Sequence, residues 1–228
     1  MLNATEYNIS TNLKKYNHMI RVLIGDDHFL VRKGIKELLL DHYPSISFDE
    51  AEDTSTLIEK ALASEWDLII SDIDMPGEGG LYALTEIRHR YPSLPILMLS
   101  IHSEHQYALR VIKSGASGFL NKIAVGEEMI SVVCQLLSGR KYFSQAVIEL
   151  LALHVGAESS KKTHELLSNR EFDVMRGLAS GKPVGKIAEA LSLSSVTVST
   201  YRARIMKKIG IKTNTELIRY AIENNLVS

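Results

Sequence analysis

At 228 residues with 45% hydrophobic positions, the chain is long enough for two domains that each bury a core. Its 26 basic and 27 acidic residues hide an asymmetry: residues 161 to 228 hold 12 Lys and Arg against 6 Asp and Glu, a net +6, while the remainder holds 14 against 21, a net −7. The single cysteine, Cys134, excludes an internal disulfide, and no apolar run approaches the roughly 18 residues of a spanning helix, so a cytoplasmic protein with no membrane partner is expected.

Residues 1 to 18 read as a flexible polar extension, and "IRVLIGDDH" from Ile20 holds the first strand. Strands at 20–26, 46–51, 67–72, 95–100 and 118–121 then alternate with helices at 30–42, 54–64, 80–90, 104–114 and 126–138. Strict alternation implies a doubly wound, five-stranded parallel sheet of flavodoxin-like order 2-1-3-4-5, occupying residues 19–141. Residues 142–164 form a linker with a helical piece at 144–153, followed by the polar, aperiodic "HVGAESSKKTH". From 165 to 228 the pattern is all-α: four helices at 168–180, 183–191, 195–209 and 214–224. "SLS" separates the middle pair as in a helix-turn-helix.

The apolar third strand "DLIISD" ends in carboxylates and a Pro-Gly turn. In this topology strands one and three are neighbours, so Asp26, Asp27 and Asp72 converge at the carboxyl edge, where a hard divalent cation such as Mg2+ would offset their mutual repulsion. Lys122 after the fifth strand and Ser100 closing the fourth bring an ammonium and a hydroxyl to the same edge. An acid cluster with both groups can accept a phosphoryl group on a carboxylate. Alone, each feature reads as a solvated loop end; four strand ends presenting the required groups together are the signal. In the helix 195–209, Val198, Ile205 and Ile209 form a buried stripe, and the other face carries short side chains rimmed by cations, a shape the major groove admits.

"VLIGDDH", "DLIISDIDMPGEGG", "ILMLS" and "GASGFLNK" resemble the receiver domain of two-component response regulators. "LSNREFDVM" and "TVSTYRARIMKKIG" resemble the LuxR-type DNA-binding domain of the NarL/FixJ family, in wording closest to its BvgA and GacA branch. The resemblance implies Asp72 as phosphoacceptor with Lys122 and Ser100 assisting, and Ser100 and Phe119 as a switch pair. It also implies Mg2+ on Asp26, Asp27, Asp72 and the backbone carbonyl of Asp74, whose side chain would overlook the phosphoryl group. In the DNA-binding helix, Ser199, Thr200 and Ala203 would read bases by short contacts, Ser195 and Val196 are further DNA-binding candidates, and Arg202, Arg204, Lys207 and Lys208 would hold phosphates. Leu217, Ile218 and Ala221 are dimer candidates. The implied partners are a sensor histidine kinase, promoter DNA, a second copy when phosphorylated, and RNA polymerase; the implied role is transcription regulation rather than an enzyme's. "DID" also resembles the haloacid-dehalogenase nucleophile motif, but that motif lies on a first strand, and here the third carries it. A receiver-like fold serving only as a binding module would be expected to lose an acid or the lysine, and all are present.

Overall fold

The computed structural model describes residues 19–156 and 163–227; the expected extension 1–18 and residues 157–162 of the expected linker lie outside them. Five strands, β1 (Ile20–Gly25), β2 (Ile46–Ala51), β3 (Leu68–Asp72), β4 (Ile96–Ser100) and β5 (Gly118–Asn121), form one parallel sheet of order 2-1-3-4-5. Between and after them run α1 (Phe29–Leu40), α2 (Thr54–Ala63), α3 (Gly80–Arg90), α4 (Glu104–Lys113) and α5 (Val125–Leu137). Every expected strand and helix is present with its ends displaced by three residues at most.

Alternating side chains sort the sheet into two apolar faces. Val22, Ile24, Ile70 and Leu99 pack with Ile35 and Leu39 of α1 and Val132 and Leu136 of α5. Leu23, Ile69 and Met98 turn the other way, onto Leu57 of α2, Leu84 of α3 and Val111 of α4. All of β3 is buried, as a central parallel strand covered on both sides must be. The register sets Gly25 beside Ser71, Asp72 beside Leu99 and Ser100 beside Asn121, so the residues at the carboxyl ends of four strands lie level.

Helix α6 (Gln145–Gly156) follows, and the C-terminal helices are α7 (Asn169–Ala179), α8 (Val184–Ala190), α9 (Ser195–Ile209) and α10 (Asn214–Glu223). Their starts are fixed by side chains: Ser168 with Glu171 and Thr213 with Glu216 form capping boxes, and the Ser194 hydroxyl accepts from the Thr197 N–H. Helix α9 ends on Gly210 at φ 82°, a left-handed turn that glycine adopts without strain. Val198, Ile205, Leu217 and Ala221 meet Phe172 and Met175 in a core continuous with the α4 side of the receiver.

Candidate functional site

The carboxyl edge of the sheet gathers the acids. One ligand atom each from Asp26, Asp27, His28 and Asp72 lies within 4.8 Å of the others. Lys122 Nζ reaches Asp26 Oδ2 at 2.7 Å and Asp72 Oδ2 at 2.8 Å. His28 Nδ1 stands 2.7 Å from Asp27 Oδ1, an imidazole that the sequence places in "GDDH" but whose participation the strand pattern does not signal. Asp26 and Asp72 are buried; Asp27 opens to solvent. Burial pushes the Asp72 carboxyl up to about 6, with Lys122 pulling down and Asp26 and Asp74 adding to the rise. The same ion pairs lift Lys122 above its ordinary value despite the opposing effect of its burial.

These groups are held from behind. The buried Arg32 guanidinium donates to the Asp26 carbonyl at 2.6 Å and binds Glu50 and Glu52 at 2.6 Å each, fixing the end of β1. Thr54 at the start of α2 accepts from the Gly79 N–H at 2.9 Å and donates to the Pro76 carbonyl at 2.8 Å, pinning the loop after β3. Asp74 turns its side chain to His102 Nε2, 2.8 Å away; burial would raise its pKa, but that bond and the nearby cations hold it below the ordinary range.

Ser100 is fully buried and its hydroxyl accepts from the His102 N–H at 2.9 Å. Phe119 is fully buried in the apolar cluster of Tyr107, Val111 and Val147. Phe119, the other member of the expected switch pair, therefore starts from a buried position.

On α9 the buried stripe is Val198, Ile205 and Ile209, as expected. Ser195, Val196, Ser199, Thr200, Ala203, Arg204 and Lys207 are exposed, Val196 at 76%. Arg202 is half-buried and donates to Asn214 Oδ1 at 2.9 Å. Lys208, expected among the phosphate anchors, instead pairs at 2.6 Å with the buried Glu171 of the capping box. Leu217 and Ala221, expected at a dimer contact, are fully buried because α10 needs them against α7; Ile218 is half-buried and Ile222 is 58% exposed.

The two halves touch through groups that no motif signals. Tyr107 O–H donates to Asp173 at 2.7 Å, Arg176 reaches both Tyr107 and His102 at 3.0 Å, and Arg110 donates to the Leu167 and His164 carbonyls at 2.8 and 2.6 Å. These pairs lie 54 to 74 positions apart, so no local pattern links them.

A doubly wound sheet with acids and a lysine at its carboxyl edge, joined to a helix-turn-helix, defines a regulator with a receiver and a DNA-binding half. Residues 22–133 match the response regulator receiver domain, and residues 165–221 match the luxR family of bacterial regulatory proteins. Response regulator UvrY of Escherichia coli strain K12 is 34% identical over 209 residues, covering 91% of this chain and 96% of its own. Response regulator GacA of Pseudomonas aeruginosa is 31% identical over 210 residues, covering 92% and 98%. Among solved structures, RcsB of Salmonella typhimurium superposes with a TM-score of 0.64 at 26% identity, over 91% of this chain and 98% of that one. RcsB bound to the rprA promoter with the phosphomimetic BeF3- gives 0.59 at 26% identity, over 90% and 98%. The chain belongs to the two-component response regulators that carry a LuxR-type DNA-binding domain.

Proposed function

We propose that Asp72 accepts a phosphoryl group from a sensor histidine kinase and that this controls promoter binding by α9. The observation that carries the reading is the Asp26–Lys122–Asp72 arrangement, in which one ammonium spans two buried carboxylates at 2.7 and 2.8 Å. Three carboxylates against one lysine leave excess negative charge at this edge of the sheet. Hard oxygen donors with this charge fit Mg2+. Asp26, Asp27, Asp72 and the Asp74 carbonyl would hold it, Asp27 most directly, and when bound it offsets the charge that develops on the transferred phosphoryl oxygens.

A carboxylate oxygen of Asp72 attacks phosphorus, the bond from phosphorus to the donor histidine nitrogen breaks, and that nitrogen keeps the electron pair. Lys122 Nζ pairs with the incoming phosphoryl group, and the Ser100 hydroxyl turns to a phosphoryl oxygen. Phe119, buried from the start, responds by repacking against α4. In the DNA-bound form, Ser195, Val196, Ser199, Thr200 and Ala203 face base edges, and Arg204 and Lys207 hold phosphates with Arg202 at the margin. In one RcsB structure two dimers are bound to two parallel DNAs; a phosphorylated dimer of this chain would use the exposed Ile222 beside Ile218. Contact with RNA polymerase and a cytoplasmic site of action follow from the same role; among the described residues no helix is long and apolar enough to cross a membrane.

Asp72→Asn tests the assignment, since the amide keeps the shape and loses the nucleophile. Intact-mass labelling with acetyl phosphate and Mg2+ is expected to disappear in the variant, and to disappear in the parent when EDTA removes the metal. Undiminished labelling of the variant overturns the assignment.

A further inference from the structure

The phosphoryl site and the DNA-binding half share one residue. His102, two positions beyond β4, is tied into the receiver three ways: its N–H donates to Ser100 Oγ at 2.9 Å, its carbonyl accepts from Asn121 Nδ2 at 3.1 Å, and its Nε2 meets Asp74 Oδ2 at 2.8 Å. Its fourth tie leaves the receiver, to Arg176 Nη2 of α7 at 3.0 Å. A guanidinium only donates, so Nδ1 must accept, and Nε2 then carries the proton given to Asp74. The ring is a relay with one acceptor facing the DNA-binding half and one donor facing the acid site.

Arg176 has its other nitrogens engaged as well, at the Tyr107 hydroxyl (3.0 Å) and the Leu226 carbonyl (3.2 Å). Its guanidinium lies over the Tyr107 ring, which stacks on His102 at 5.4 Å. Beside these groups lies a cavity of about 480 Å³, bordered by Asp74, His102, Tyr107 and Arg176, into which the His102 side chain has room to move.

We propose that His102 couples the state of the phosphoryl site to the docking of α7, through its bonds to Ser100 and Asp74 on one side and Arg176 on the other. The proposal rests on Asp72 being the phosphoacceptor. When Ser100 turns its oxygen to a phosphoryl group, the His102 N–H loses its acceptor and the loop carrying the ring is released. Arg176 then loses Nδ1, leaving a half-buried cation short of a partner, and α7 separates from α4. His102 acts as a positioning residue; the ties of Arg110 to Leu167 and His164 do not pass through the acid site and set how far apart the halves move.

Hydrogen exchange on the full chain tests this, with Asp72 occupancy followed in parallel by acetyl phosphate labelling. In the parent, beryllofluoride with Mg2+ is expected to speed exchange roughly tenfold in the peptides spanning 104–113 and 169–179, the loss of a charge-assisted bond setting the scale. His102→Ala and Arg176→Ala are expected to exchange fast without beryllofluoride and to respond little to it, with the double variant no faster than either single one. His102→Gln, which keeps one acceptor and one donor, is expected to restore part of the response. Receiver-strand peptides that exchange as in the parent confirm that each variant is folded, and Arg176→Ala leaves the receiver's sequence untouched. Labelled Asp72 with a parent-like response in both alanine variants, or additive effects in the double variant, overturns the coupling alone. No label on Asp72 of the parent overturns the phosphoacceptor assignment and the coupling together.

Discussion

Asp72 is poised between two opposing influences, burial and a lysine. Burial alone disfavours its anion, and the Lys122 ammonium at 2.8 Å recovers part of the loss, leaving a carboxyl that titrates at about 6. Lys122→Ala removes the recovery and keeps the burial, so the Asp72 pKa in metal-free protein is expected to rise further above 6. A carboxyl-carbon NMR titration reads it, and an unchanged or lowered midpoint contradicts this account. At this scale much is legible in the sequence: strand ends in a fixed topology place Asp26, Asp27, Asp72, Ser100 and Lys122 together without any contact being known. His102, Tyr107, Asp173 and Arg176 are not, because their pairing depends on how two separately patterned halves dock, and no periodicity encodes that.

Elements approach closely where glycine allows it. At Gly80, the first residue of α3, a Cβ would lie 1.8 Å from the Asp72 carbonyl oxygen, while the Gly80 N–H donates to the Ile73 carbonyl at 2.9 Å. Gly80→Ala must push α3 off the end of β3, and a loss of about 3 kcal/mol or more is expected in denaturant unfolding, with phosphodonor labelling impaired because the backbone that moves carries Asp72. Parent-like stability shows that the junction yields at no cost. On α9, helical spacing reveals which residues are buried but not which exposed cations another helix claims. Lys207 and Lys208 are neighbours in sequence, yet only Lys208 turns to Glu171. Lys207→Ala is expected to reduce the salt slope of log K for DNA by roughly 0.9 per subunit. Lys208→Ala is expected to leave that slope alone and cost about 1 kcal/mol of stability, since the buried Glu171 then keeps only the Ser168 N–H. Binding and unfolding measured on both variants separate the roles; a slope change in Lys208→Ala alone reverses them. Leu217 and Ala221 mislead for the same reason: the apolar face of α10 is visible in sequence, but its being filled by α7 is not.

For the whole molecule, the interface between the halves contains a carboxyl placed at a disadvantage. Burial pushes Asp173 up to about 6; the bond from Tyr107 and the charges of Arg170 and Arg176 pull down, and Asp74 across the interface pushes up. Arg110 also acts on Asp173, and His102 and Glu78 face the region through Arg176 and Arg170 respectively, with His28, Ser180 and Lys182 lining the same cavity. A carboxyl whose folded pKa exceeds its unfolded value of about 3.9 holds its proton more tightly when folded and docked. Its contribution is therefore complete below about pH 4 and lost as pH rises through 6, the opposite of Glu50 and Asp49, whose salt bridges stabilise above their unfolded pKa and fade in acid. Asp173→Asn keeps an acceptor for the Tyr107 hydroxyl and removes the titration. The variant is expected to gain stability over the parent at pH 7.5, by about 3 kcal/mol for a shift of this size, and to lose most of that gain by pH 4.5. Taking the difference between variant and parent cancels the carboxylates common to both. Thermal unfolding of the full chain across that range measures it, and a difference that stays constant with pH means Asp173 is ionised in the docked state with its charge fully compensated by the two arginines.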